Sequence, residues 1–171
     1  MQPIVPRMNP TQARAWVALV STAELLPQTL DAQLTADAGL INFEYGILGV
    51  LNVAKDQTLR AGELAASLQS PAPRLSKAVT RLEKRGLVER VACAGDGRAI
   101  NVHLTRAGRR AWLQATPPHV ELARDTLLAG FTDAQLVELA ELLETVVARL
   151  DPGGAVGGVP PLGFEPRLRR F

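Results

Sequence analysis

Apolar residues recur along this chain at helical spacing in several stretches, alternate in one short pair of segments, and lose all periodicity at both ends. Residues 1–10 hold three prolines and no stripe, which predicts a loose arm. From Thr11, an N-cap residue by type, Trp16, Leu19, Val20, Ala23, Leu26, Leu30 and Leu34 trace one helical face to about Ala38, where Gly39 ends it. Pro27 falls inside that run and is expected to bend or interrupt it, since it lacks a donor and clashes with the preceding turn. Asn42 then reads as the cap of a second helix with Phe43, Ile47, Leu48 and Leu51 on its core face and Glu44 in its first turn. Lys55–Gln57 reads as a surface turn, and Leu59–Leu68 as a short helix with Leu64, Ala65 and Leu68 apolar.

The stretch from Pro73 to Gly86 carries the clearest pattern. Leu75, Ala78, Val79 and Leu82 fall on one side of a helix, while Arg74, Lys77 and Arg81 share another with Ser76 and Thr80 between them. Pro73 suits the first helical position and disfavours a helical Ala72, and Gly86 closes the far end. Gln69–Ala72 makes a tight connection to the preceding helix, an arrangement that predicts a helix-turn-helix. Leu87–Cys93 and Ala99–Leu104 then read as two strands around Ala94-Gly95-Asp96-Gly97-Arg98, a glycine-bearing turn that places Arg98 at a hairpin tip. Thr105 starts a long helix through Trp112 and Ala115 that Thr116-Pro117-Pro118 is expected to break, with a second half from His119 to about Ala129. Thr132 with Gln135 is a capping box, followed by Leu136, Leu139, Leu143, Val146, Val147 and Leu150 on one stripe. The expected fold is mainly α with a small β-hairpin wing (α+β): a winged helix-turn-helix between long N- and C-terminal helices. Apolar stripes on those terminal helices exceed what one small wing can cover, so a second copy of the chain is the economical partner.

Charge sharpens the picture. The net charge of the 171 residues is only +2, yet residues 60–110 hold 11 Lys or Arg against 4 Asp or Glu, leaving 8 against 13 elsewhere. Basic charge is concentrated on the candidate nucleic-acid-reading segment. A basic stripe on an amphipathic helix can also be a plain solvated face, and the neighbouring turn and hairpin are what favour the reading face.

The string from Leu64 to Gly108, with "LSKAVTRLEKRGLVER", then "DGR", then "VHLTRAG", resembles the MarR family, the multiple antibiotic resistance regulators of bacteria; the likeness extends over roughly residues 11–150, from Trp16 through Tyr45 to "LTRAGRRAW". The resemblance implies a homodimeric winged-helix repressor with intertwined terminal helices, a recognition helix in the major groove and a wing arginine in the minor groove. On that likeness Arg98 is the minor-groove reader and Asp96 braces the wing, while Pro73 stands where relatives often carry a small polar residue. The DNA-reading candidates are therefore Arg74, Ser76, Lys77, Thr80, Arg81, Asp96 and Arg98. The organisation expected is an arm at 1–10, a single domain at 11–150 (dimerisation helices 11–38 and 117–150, winged helix-turn-helix about 42–105), and a tail at 151–171 in which five Gly and four Pro predict no regular structure.

Chemistry beyond binding finds little support. Two histidines, one cysteine and no nucleophile elbow, phosphate-cradling loop or helical His pair argue against an enzyme, a metal site or a cofactor. His103 and His119 have no carboxylate partner by spacing. The resemblance implies a cleft for a small aromatic or phenolic effector, for which Trp16, Tyr45, Trp112 and His119 supply flat walls and polar tips; ordinary core or interface aromatics are the competing reading. Cys93 suits either a thiol-based redox sensor or a small packed wing residue. A winged-helix protein-interaction module without DNA binding is the remaining alternative. No stretch approaches ~20 consecutive apolar residues, and with a solitary cysteine the expected place is the cytoplasm. The expected partners are double-stranded DNA carrying an inverted repeat, a second copy of the chain and a small aromatic effector, with no membrane.

Overall fold

The structure, a computed structural model, describes residues 7–93 and 96–151, with the backbone alone for Cys93 and residues 96–99. The chain divides into two compact units, one ending at Asn42 and the other beginning at Phe43.

The first unit is essentially one helix, α1 (Pro10–Ala38). Its cap is Asn9 rather than Thr11: the Asn9 side chain accepts from the Gln12 N–H at 2.8 Å, and the Gln12 side chain accepts from the Asn9 N–H at 3.0 Å. Pro10 then takes the first turn, where its missing donor costs nothing. Pro27 does not interrupt the helix. A proline's fixed φ is itself helical, and Gln28 and Thr29 donate side-chain hydrogen bonds to the Glu24 and Leu25 carbonyls just upstream. Gly39, at φ 62°, ends the helix in the left-handed conformation expected of it. Asn42 is the first residue of the next helix and not its cap; its N–H is taken by the Asp31 carboxylate at 2.6 Å.

The second unit comprises α2 (Asn42–Val53) from its second residue onward, a 3₁₀ turn (Lys55–Gln57), β1 (Thr58–Arg60), α3 (Ala61–Ser67), α4 (Ala72–Lys84), β2 (Val88–Cys93), β3 (Asp96–Leu104), α5 (Arg106–Leu122), a π-helical turn (Ala123–Leu127) and α6 (Asp133–Leu150). Its core is built from Ile47, Leu48 and Leu51 of α2, Leu64 of α3, Val79 and Leu82 of α4, and Val88, Val102 and Leu104 of the sheet, all nearly inaccessible. Leu59 and Arg60, expected to be helical, instead form β1, an edge strand pairing antiparallel with β3 in the order β1-β3-β2. α4 starts one residue earlier than expected, because Ala72 as the first helical residue needs no donor partner and the Pro71 carbonyl already accepts from the Arg74 and Leu75 N–H groups. Gly86, at φ 68°, follows α4 as anticipated.

In the wing, Ala92 faces Ile100 and Cys93 faces Asp96, so among the described residues none is paired with residues 97–99 of β3. Such a bulge places the Arg98 backbone in an irregular strand and not at the tip of the turn. Thr105 caps α5, accepting from the Gly108 N–H at 3.0 Å while its hydroxyl meets the Gly86 and Leu87 carbonyl oxygens. Gly108 is required there: a Cβ would lie 2.0 Å from the Leu87 carbonyl oxygen. α5 also runs unbroken through Pro117 and Pro118, anchored by buried Trp112, Ala115, Thr116 and His119 around them, and loosens only afterwards into the π-helical turn. Tertiary packing outweighs the local penalty here. α6 opens on the expected Thr132–Gln135 capping box, and none of its residues is buried.

Candidate nucleic-acid interface

α4 separates its faces cleanly. Leu75, Ala78, Val79 and Leu82 are buried, while Arg74, Ser76, Lys77 and Arg81 are exposed. The exposed arginines are nevertheless held. The Arg74 guanidinium lies 4.4 Å over the centroid of the Phe43 ring, within cation–π range. Arg81 donates from Nε to Glu44 Oε1 at 2.7 Å, and Arg85 Nη1 stands 3.8 Å from Glu44 Oε2. Glu44 itself is only 5% exposed.

Thr80 is half-buried and turned to internal work, its hydroxyl donating to the Ser76 carbonyl at 2.9 Å and accepting from Arg90 Nη2 at 3.0 Å. Arg90, on β2, also donates to the Ser76 carbonyl, pairs with Glu83, and gives its backbone N–H to Glu83 Oε1. One wing strand is thus tied to α4. The side chains of Asp96 and Arg98 lie outside the described residues, as does that of Cys93.

Among the effector candidates, Tyr45, Trp112 and His119 come together. Tyr45 stacks on Trp112 at 6.0 Å and meets the His119 ring at 4.7 Å, and its hydroxyl is 3.1 Å from that of Thr116. Burial raises the Tyr45 pKa, partly opposed by the Thr116 hydrogen bond, and lowers that of His119. Trp112 Nε1 is buried without a hydrogen-bond partner among the described residues, against Gly49, where a Cβ would come within 3.0 Å of it. Trp16 belongs to the first unit and is 49% exposed. A separate cavity of about 200 Å³ lies between α3, α4 and β3, walled by Leu75, Val79, Ile100 and Val102; the nominated rings do not line it.

Sequence reasoning missed Phe43, Glu44 and Arg90 as parts of this surface, since their partners lie 31, 37 and 7–14 residues away. It also left His103 without a partner, whereas Nδ1 lies 2.8 Å from the Thr58 hydroxyl and Nε2 lies 3.9 Å from Glu89, its neighbours on the two flanking strands. Cross-strand register was the signal that could have found it.

A family model described as MarR family matches residues 38–99. Sco3205, a MarR family transcriptional regulator from Streptomyces coelicolor solved in complex with DNA, is 34% identical over 85% of this chain and 95% of its own, with a TM-score of 0.80. The chain belongs to the MarR family. Members of this family are transcriptional regulators and not enzymes. AbsC, another MarR family regulator from the same organism, is 27% identical over 86% of this chain and 99% of its own, with a TM-score of 0.79. MepR of S. aureus, in a DNA complex, covers 78% of this chain and 96% of its own with a TM-score of 0.70; at 22% identity it speaks for the MarR fold alone. No helix among the described residues is long and apolar enough to cross a membrane.

Proposed function

We propose that this MarR-family chain is a homodimeric transcriptional repressor that lays α4 in the major groove and the wing in the adjacent minor groove of an inverted-repeat operator. The carrying observation is α4 itself, whose apolar face is buried while Arg74, Ser76, Lys77 and Arg81 stand together on the exposed one. The DNA complex of Sco3205 supports the same reading. A two-fold dimer would present two copies of this face, which suits an inverted repeat. The partner copy would cover the terminal helices, and such a regulator would work in the cytoplasm.

Release by a small aromatic or phenolic ligand fits the cluster of Tyr45, Trp112 and His119; Trp16 remains a nominated wall of its own unit. α2 offers a route from one to the other, since Glu44 faces the arginines of α4 and its neighbour Tyr45 faces α5.

The test is selection of duplexes from a random-sequence pool by the full-length protein, followed by salt titration. Two subunits each neutralising about three or four phosphates give a slope of log affinity against log salt of roughly −5 to −7. Arg98→Ala should weaken binding on many sequences and reduce that slope in magnitude by about one to two units per dimer while leaving the melting temperature unchanged. Enrichment of no motif, with a slope near zero, would reject DNA binding; tight binding by the variant with a lowered melting temperature would make Arg98 a structural residue of the hairpin.

A further inference from the structure

We infer that the first turn of α2 is an aiming device for the reading arginines, with Glu44 as the positioning residue for Arg81 and Phe43 as that for Arg74; the inference rests on the DNA-binding reading above. Glu44 is an odd residue to find beneath a DNA-facing helix. Its negative charge opposes phosphate, and its side chain is 6% exposed while those of its partners Arg81 and Arg85 remain 52% and 40% exposed. A buried carboxylate of this kind contributes little net stability, because the attraction roughly offsets the water it gave up. Direction is what it supplies. Arg81 is gripped through Nε, on one edge of its planar guanidinium, and more than half of the side chain stays open to a ligand on the outer side.

An arginine left free on this surface would lose rotamer freedom on binding and would follow whichever phosphate came nearest. One held in place before binding has already met that ordering cost and can reach only what the helix docks against it. Phe43, immediately before Glu44 in sequence, does for Arg74 with a ring what Glu44 does for Arg81 with a carboxylate. Two adjacent residues of one helix turn therefore fix two arginines spaced two turns apart on another. The arrangement gives up non-specific affinity in exchange for discrimination.

Affinities of the full-length parent, Glu44→Gln, Arg81→Ala and the double variant are to be measured on the selected duplex and on a scrambled one, with melting temperatures alongside. Glu44→Gln keeps the shape and removes the charge. It should lower the ratio of selected to scrambled affinity by about tenfold, the discrimination of one well-made base contact, while affinity for the scrambled duplex holds or rises; in the Arg81→Ala background it should change the ratio no further. Equal losses on both duplexes, or a full effect persisting without Arg81, would overturn the inference and leave Glu44 as a packing ion pair. Phe43→Leu, which keeps an apolar body beneath Arg74, gives an independent reading if Glu44→Gln fails to fold: the ratio must fall, and an unchanged ratio overturns the aiming role. Failure of the parent to enrich any duplex is a different result, since it removes the DNA-binding reading itself.

Discussion

α4 and α6 are both amphipathic, yet their apolar faces meet opposite fates. α4 buries Leu75, Ala78, Val79 and Leu82 within its own unit, whereas α6, longer by five residues, buries nothing and leaves Leu143, Val147 and Leu150 of its stripe between 42% and 80% exposed. α1 resembles α6, with only Ala13 and Leu34 buried along 29 residues. The apolar face of α4 is covered within its own unit; most apolar side chains of α1 and α6 are not. Apolar stripes of that extent on a water-facing helix mark an interaction surface, and they carry no information about DNA.

The largest expected effect breaks the comparison at α6. If the proposed dimer is formed through this stripe, the parent should sediment as a dimer and Leu143→Glu with Val147→Glu as a monomer in analytical ultracentrifugation at micromolar concentration, because both side chains are exposed in the single chain. A variant that still sediments as a dimer would show that the stripe is not the interface. The lobe is attacked instead at Gly108, where Gly108→Ala drives a Cβ into the Leu87 carbonyl and the Leu104 side chain. Overpacking against backbone should cost about 3 kcal/mol in urea unfolding, and a midpoint equal to the parent's would mean that the close approach of α5 to Leu87 is not retained in solution.

The smallest effect concerns His119. Burial keeps its folded-state pKa below the ordinary value of 6.5. The unfolded chain therefore takes up a proton as the pH falls through about 6.5, while the folded chain does not until the pH is lower still. Stability from this source is complete above that value and is lost as the pH drops below it. Urea midpoints at pH 7.5 and 5.5 should differ for the parent and differ less for His119→Gln; identical pH dependence in both would remove His119 as the cause.

Features written in neighbouring residues were legible before any coordinates. Gly39 and Gly86 stop helices, Thr132 and Gln135 start one, and the spacing of Leu75 to Leu82 fixes which side of α4 packs. Features that depend on distant partners were not. Thr58-Leu59-Arg60 has no strand period of its own and is extended because β3 lies beside it. Pro117 and Pro118 argue for a break that the buried side chains around them override. The exposed basic face of α4 could be read from sequence, but the grip of Glu44 and Phe43 on its arginines, and the inward turn of Thr80 toward Arg90, are properties of contacts between elements.

β1 has a consequence for how the chain can vary. Pairing of Thr58 with His103 closes a single loop around α3, α4 and β2, clasped by three residue pairs and one hydroxyl–imidazole hydrogen bond. The entropy of closing a loop that long grows so slowly that even doubling it costs only about 0.6 kcal/mol. Insertions in the connection between α3 and α4 are therefore cheap as far as the clasp is concerned, and length differences there among related sequences need not signal a lost strand. Removing the clasp is another matter, since it would turn an enclosed loop into an open one and give both helices back the freedom that the three paired residues now withhold.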